Sequence, residues 1–345
     1  MRILSNTIKS SPFAKIAIKT ADEILAIRRP FKNENFARGD YLYLQERIAN
    51  QALPFIQRDE KLPFVLIGFS MKSPSPLKTL SMSADRAEYE ALKHLNVFTQ
   101  RIQNIYDVGS DFKIYADGRI FVNKIIGSSD ERVTTYIQGL RSFLAKLKNK
   151  SIDIIAPEDF YKTTPENARN YLFQDFPVDR NEMQALIEKD NFLKQYKTYM
   201  RDFYAKDIRA QKTAMSIRQS RKLGEDVAMS VICAAESLGR YVKSVFGEKM
   251  IRLSVHAKPV KDLYNKVGIF LNSLNANCPM PWHGVAVRIP TIDGSEKYIY
   301  EKKNILENIG SKLVLDNENG AYFELPHEFN YNPNLSFKEN ILRNQ

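Results

Sequence analysis

Residues 64–81, FVLIGFSMKSPSPLKTLS, decide how the rest of the chain is read. The apolar run Phe64-Val65-Leu66-Ile67 sits between Pro63 and Gly68. A short, partly β-branched run bounded by breakers reads as a strand buried on both faces. A polar loop follows, carrying Lys72, Ser73, Ser75 and Lys78 and stiffened by Pro74 and Pro76. Ligands of open α/β sheets bind just beyond the carboxyl ends of the strands, which makes this loop a candidate anion site. A solvated strand-to-helix loop with its lysines in water is the plainer alternative.

Working outward, residues 13–30 and 41–56 show helical spacing, ending at Pro30 and Pro54. Beyond the loop, Asp85 to Tyr106 repeats apolar residues every three to four positions and predicts a long helix. Phe112 to Val122 reads as a hairpin around Asp117-Gly118. A helix over 134–148 and a short buried strand over 152–156 follow. This alternation predicts an α/β fold, a Rossmann-like sheet flanked by helices. Residues 164–246 turn helical and charged, the last helix carrying Val227, Val231, Ala234 and Leu238 at core spacing. A strand over 250–256, a helix over 260–275 and short β-like runs at 284–289, 297–300 and 321–325 complete the reading. The predicted division is a catalytic domain over 1–260, a smaller α+β portion over 261–325 that completes the site, and an Asn-rich tail over 326–345, extended or poorly ordered.

The 345 residues include 51 Lys+Arg against 40 Asp+Glu, a net charge of +11. Such a surplus suits anionic substrates, nucleic acid or an anionic membrane. The basic residues are interspersed with acids rather than drawn into a stripe, which argues against a nucleic-acid partner. Cys233 and Cys278 are far apart, and no CxxC, CxxH or HxxxH occurs, so a structural zinc site is not expected. A disulfide stays open on count alone. Charges interrupt the apolar runs of the first twenty residues, unlike a signal peptide, and no run approaches roughly 18 apolar residues. The expected location is cytoplasmic, with no membrane partner.

Two of the four histidines stand in informative contexts. Arg252, Ser254 and His256 share one face of a strand by the period of two. They suit either a polar cavity, with a fixed cation and a proton-exchanging imidazole, or an edge strand with a polar outer face. His283 follows Pro281 and Trp282, the one tryptophan. That turn could wall a pocket, or Trp282 could plug the core while His283 caps it. Asp117-Gly118-Arg119 suffices as a turn, and otherwise supplies a cation and an acceptor at a strand end. GxGxxG, P-loop and GxSxG motifs are absent from the sequence.

Four ordered segments, GFSMKSPSPLK at 68–78, YADGRIFV at 115–122, IRLSVH at 251–256 and PWHGVAVR at 281–288, resemble the isonitrile (isocyanide) synthase family, also called the pyoverdine/dityrosine biosynthesis family. The helix before the third segment, with Glu236, is also similar to the family pattern. The resemblance runs over about residues 40–325. In the family the first segment more often reads Phe-Pro-x-Lys-Ser-Pro-Asn; Ser70 and Ser75 depart from it, which leaves the substrate in question more than the reaction class.

The resemblance implies a cofactor-independent enzyme of carbon–carbon lyase type that needs no metal. It would join the amine of an aromatic amino acid, tyrosine favoured over tryptophan, to the keto carbon of ribulose 5-phosphate, which becomes the isonitrile carbon. Lys72, His256 and His283 would serve in proton transfer, Lys72 with its pKa lowered by burial or cationic neighbours. Ser73, Lys78, Arg119, Arg252 and Ser254 would hold the substrates and the phosphate, and Trp282 the aromatic ring. A separate iron- and 2-oxoglutarate-dependent oxygenase is the implied recipient of the product. The alternatives are an N-formylating relative that makes dityrosine-type precursors and a basic nucleic-acid-binding protein.

Overall fold

A computed structural model describes residues 11–31, 34–247, 250–262, 265–274, 280–291 and 294–345. The readings of the first ten residues and of Cys278 lie outside these. Strand β1 (Leu62–Gly68) is the middle of a five-stranded parallel sheet in the order β3-β2-β1-β4-β5. Its neighbours are β2 (Ser110–Ala116), β3 (Ile152–Ile155), β4 (Ile251–Ser254) and β5 (Val267–Gly268). The register aligns Phe64 with Phe112 and Ile152 on one face, and Ile67 with Tyr115 and Ile155 on the other. Both faces must therefore be covered, as parallel sheets require.

The first face packs against α1 (Pro12–Ala26), α2 (Arg38–Gln57), α3 (Arg86–Ile105) and α4 (Asp130–Leu147) through the main core. The Phe64 ring lies 5.6 Å from Phe98 and 5.8 Å from Phe112. The opposite face meets α6 (Pro165–Asp175) and α9 (Ile217–Phe246) through Tyr115, Leu172, Leu238 and Tyr241. Short α5 (Pro157–Tyr161), then α7 (Arg180–Lys189) and α8 (Asn191–Gln211), complete the helical region, which ends in α9 as the 164–246 pattern predicts. A second sheet, ordered β7-β6-β9-β8, comprises β6 (Val285–Ile289), β7 (Lys297–Glu301), β8 (Lys312–Val314) and β9 (Tyr322–Glu324), with α10 (Lys303–Asn308) between β7 and β8. The architecture is thus a helix-flanked parallel sheet with a smaller α+β portion. No helix among the described residues is long and apolar enough to cross a membrane.

Four local expectations fail for physical reasons. Asp117-Gly118 does not turn a hairpin: β2 is already bonded to β1 and β3, and residues 117–121 form a 3₁₀ turn instead. Gly118 is required there because a Cβ would collide with the Ser70 carbonyl. The expected helix over 260–275 is absent from its described residues; Val267, Ile269 and Leu271 are buried at a spacing of two, along the sheet edge. Pro54 lies inside α2 rather than ending it. The tail carries helix α11 (Phe337–Arg343), and Phe329 and Phe337 close the core of the second sheet. Its asparagines bond the backbone: Asn340 Nδ2 donates to the carbonyls of Asn332 (2.9 Å) and Ser336 (3.1 Å).

Candidate active site

Ile67 on β1 lies opposite Ser254 on β4, yet the strands lead away from each other, β1 towards α3 and β4 towards β5. This reversal of strand order opens the crevice in which doubly wound folds bind ligands. Phe69, the first residue past β1, adopts a left-handed conformation (φ 55°), a cost of roughly 1–2 kcal/mol for a non-glycine residue. Packing of its ring against Trp282, 5.3 Å between centroids, holds it there. The Ser73 N–H donates to the Trp282 carbonyl at 2.8 Å, joining the β1 exit loop to the 3₁₀ turn Pro281–His283.

Lys72 is completely buried within this joint. Its ammonium donates to both Glu88 oxygens (2.9 and 2.7 Å) and to the Pro281 carbonyl (3.0 Å), and lies 2.9 Å from Asp85. Asp85 and Glu88 also form the capping box of α3, so one pair of carboxylates starts the helix and cages the lysine. Burial opposes the Lys72 charge, but the attraction of Asp85 and Glu88 outweighs it and the pKa rises. The expected lowering is therefore corrected: this lysine is held as a cation. Burial pushes Glu88 up to about 7 despite Lys72, and Tyr136 donates to it at 3.2 Å.

Lys78 is also buried, 2.7 Å from Asp207 of α8 and 3.6 Å above the Phe203 ring. Burial lowers its pKa against the pull of Asp207. Phe203 packs edge-on to His283, 5.4 Å between centroids. Burial, then the charges of Lys78, His256 and Lys72, hold the His283 pKa well below the ordinary range, so its imidazole is neutral. Its Nδ1 is buried and meets no hydrogen-bond partner among the described residues.

The β4 exit gathers a second group. Arg29, brought in by the connection after α1, donates to the Val255 carbonyl at 2.9 Å. His256 keeps surface open to water within a crowded recess; that crowding, followed by Lys258, Arg29 and Lys266, lowers its pKa to about 4. Lys266 is pushed down to about 8 by burial, Lys258 and Arg252, against Asp262 and Glu236. Arg252 and Ser254 are buried on the strand itself, and the Ser254 hydroxyl accepts from the His256 N–H at 3.2 Å. Mutually repelling cations beside a neutral imidazole form a place for an anion, whose binding would relieve the repulsion.

Of the residues singled out from sequence, Lys72, Ser73, Lys78, Trp282 and His283 are joined around the β1 exit, and Arg252, Ser254 and His256 around the β4 exit. Arg119 belongs to neither. Its guanidinium donates to Glu158 (2.9 Å), Thr134 (2.8 Å) and the Asp130 carbonyl, on the side of α4 and α5. Sequence reasoning missed Arg29, Lys258, Lys266, Phe203 and Asp207. Only the spacing of Asp85 and Glu88 carried a readable signal, that of a helix N-terminus. No group of three or more His, Cys, Asp or Glu side chains among the described residues is arranged to hold a metal ion.

An L-tryptophan isonitrile synthase of Fischerella ambigua is 26% identical over 270 residues, covering 78% of this chain and 79% of the relative. An L-tyrosine isonitrile synthase of Xenorhabdus nematophila is 25% identical over 310 residues, covering 87% and 89%. The fold matches the crystal structure of the PvcA protein from Pseudomonas aeruginosa with a TM-score of 0.81, at 24% identity, over 90% of this chain and all of that one. The family model for pyoverdine/dityrosine biosynthesis proteins matches residues 53–311, a span that holds both strand exits, and the chain belongs to that family.

Proposed function

We propose that this protein is an isonitrile synthase that converts the amino group of an aromatic L-amino acid to an isonitrile, with ribulose 5-phosphate as carbon donor and without a cofactor. The observation that carries this reading is the convergence of Arg29, Arg252, Lys258 and Lys266 with His256 at the β4 exit, across the crevice from His283 and Trp282. A phosphate is the small anion that repays so many cations in one place. His256 and His283, held neutral by their surroundings, accept protons as the amine adds to the keto carbon and the adduct tautomerises. A bound phosphate raises the His256 pKa and keeps it basic enough for that task. Lys72 fixes the Pro281 carbonyl and thereby the Trp282–His283 turn; Trp282 supplies apolar surface for the substrate ring. Tyrosine is the favoured amino acid, in line with the name of the Xenorhabdus relative aligned over 310 residues. The reaction is of carbon–carbon lyase type, takes place in the cytoplasm and hands its product to an iron- and 2-oxoglutarate-dependent oxygenase.

The test is mass and infrared analysis of metal-stripped, folded protein incubated with ribulose 5-phosphate and tyrosine or tryptophan in separate tubes. One added carbon together with the isonitrile absorption in either tube supports the reading and names the amino acid. A formamide mass from the outset replaces it with the N-formylating alternative. Silence in both tubes sinks it.

A further inference from the structure

An amino acid is a zwitterion, and a crevice lined by cations answers only its carboxylate. The ammonium needs an anion, and it must lose a proton before its nitrogen can attack a ketone. Most carboxylates near the strand ends are already engaged. Asp85 and Glu88 cage Lys72, Asp207 holds Lys78, and Glu236 pairs with Arg240.

Asp117 differs. It follows directly on β2, whose last residue Ala116 is in register with Gly68, so it lies beside the β1 exit. Its carboxylate is buried and accepts from the Ser70 hydroxyl and from its own backbone amide. Among the described residues no lysine, arginine or histidine forms an ion pair with it. A buried carboxylate answered only by a hydroxyl and its own amide, with no cation, is costly unless a ligand completes it. The surrounding backbone is built to keep it so. The left-handed turn at Phe69 presents Ser70, and Gly118 lets the two chain segments approach to where no Cβ would fit. The groups on which the Asp117 charge acts are phenols: Tyr115 on its own strand, Tyr136 from α4 and Tyr204 from α8. Each has its pKa raised by burial, so none ionises near neutral pH. Tyr204 packs on Phe203, 5.3 Å between rings, and Phe203 on His283, which links Asp117 to the crevice.

We propose that Asp117, positioned by Ser70, binds the α-ammonium of the amino-acid substrate and accepts its proton. The N–H bond breaks, its electron pair stays on nitrogen as the nucleophile, and the proton passes to the carboxylate oxygen. Burial raises Asp117 to about 6, basic enough to take a proton yet largely ionised at neutral pH. This proposal rests on the isonitrile synthase reading in taking an aromatic amino acid as the ligand.

The experiment compares, by calorimetry, the binding of tyrosine and of its des-amino analogue 3-(4-hydroxyphenyl)propionate, with tryptophan and its des-amino analogue as a second pair. Wild-type protein should prefer the amino acid, and Asp117→Asn should lose about 10- to 100-fold of that preference while binding the des-amino analogue as before. Ser70→Ala, which removes only the positioning hydroxyl, should move the acid limb of amino-acid binding to higher pH, because the hydroxyl favours the ionised carboxylate. That shift reads the same pair even if Asp117→Asn does not fold. Equal preference in wild type and Asp117→Asn, or an unmoved limb in Ser70→Ala, overturns the proposal and leaves the functional reading standing. Wild-type protein that binds neither amino acid overturns both.

Discussion

The two sides of the crevice use charge in opposite ways. At the β1 exit, Lys72 and Lys78 each lie 2.7 Å from a buried carboxylate, Glu88 and Asp207. At the β4 exit, Lys258, Arg29 and Lys266 lower the proton affinity of His256, and Lys258 and Arg252 lower that of Lys266. Attraction fixes structure on the first side. On the second, like charges crowd one another. From sequence Lys72 reads as a proton-transfer group and Lys78 as a substrate cation; the fold makes each one partner of a buried ion pair between chain segments.

The largest effect that can break this contrast is expected at Lys72. Lys72→Met leaves Glu88 and Asp85 buried without their cation, which should cost about 3–5 kcal/mol in denaturant unfolding. A loss under about 1 kcal/mol would mean the cage is not what holds the loop. Next comes Arg119→Met, which frees Glu158 and Thr134 on the far side of α4. Stability should fall by about 1–3 kcal/mol while KM for the proposed donor, ribulose 5-phosphate, stays put. A raised KM would return Arg119 to the phosphate site. Lys258→Ala should do the reverse, changing stability by no more than about 0.5 kcal/mol and weakening phosphate binding about tenfold, to be read by titration at two salt concentrations.

The smallest effect is one of pH. His256 in the fold titrates near 4 and in the unfolded chain near 6.5, and His283 is also depressed. The unfolded chain therefore takes up these protons first, and their contribution to stability is lost as pH falls from about 6.5 towards 4. Inorganic phosphate should raise the His256 pKa and flatten that slope, as followed by NMR with His256→Ala for assignment. A His256 resonance that titrates alike with and without phosphate would place the anion elsewhere.

Much of the fold was legible because it is written locally. The run Phe64–Ile67 between breakers, the apolar repeat of α3 and the long amphipathic α9 each declare their element through burial pattern alone. The failures share one cause. Asp117-Gly118 has hairpin chemistry, but both edges of β2 were already taken; residues 267–271 alternate like a strand inside a stretch that also fits a helix. The asparagines of the tail look like solvated linker until Asn340 turns inward to bond the backbone.

Sequence by itself determined the α/β class, the central strand and the candidacy of Lys72, Arg252, His256 and His283, because residue type and spacing carry those. Only the tertiary structure decided which polar groups meet one another. That depends on polar groups meeting across long gaps in the chain: the Lys78 ammonium with Asp207, Arg29 with the Val255 carbonyl, the Ser70 hydroxyl with Asp117. Electrostatic energy follows distance and burial, and neither is visible until the chain has folded.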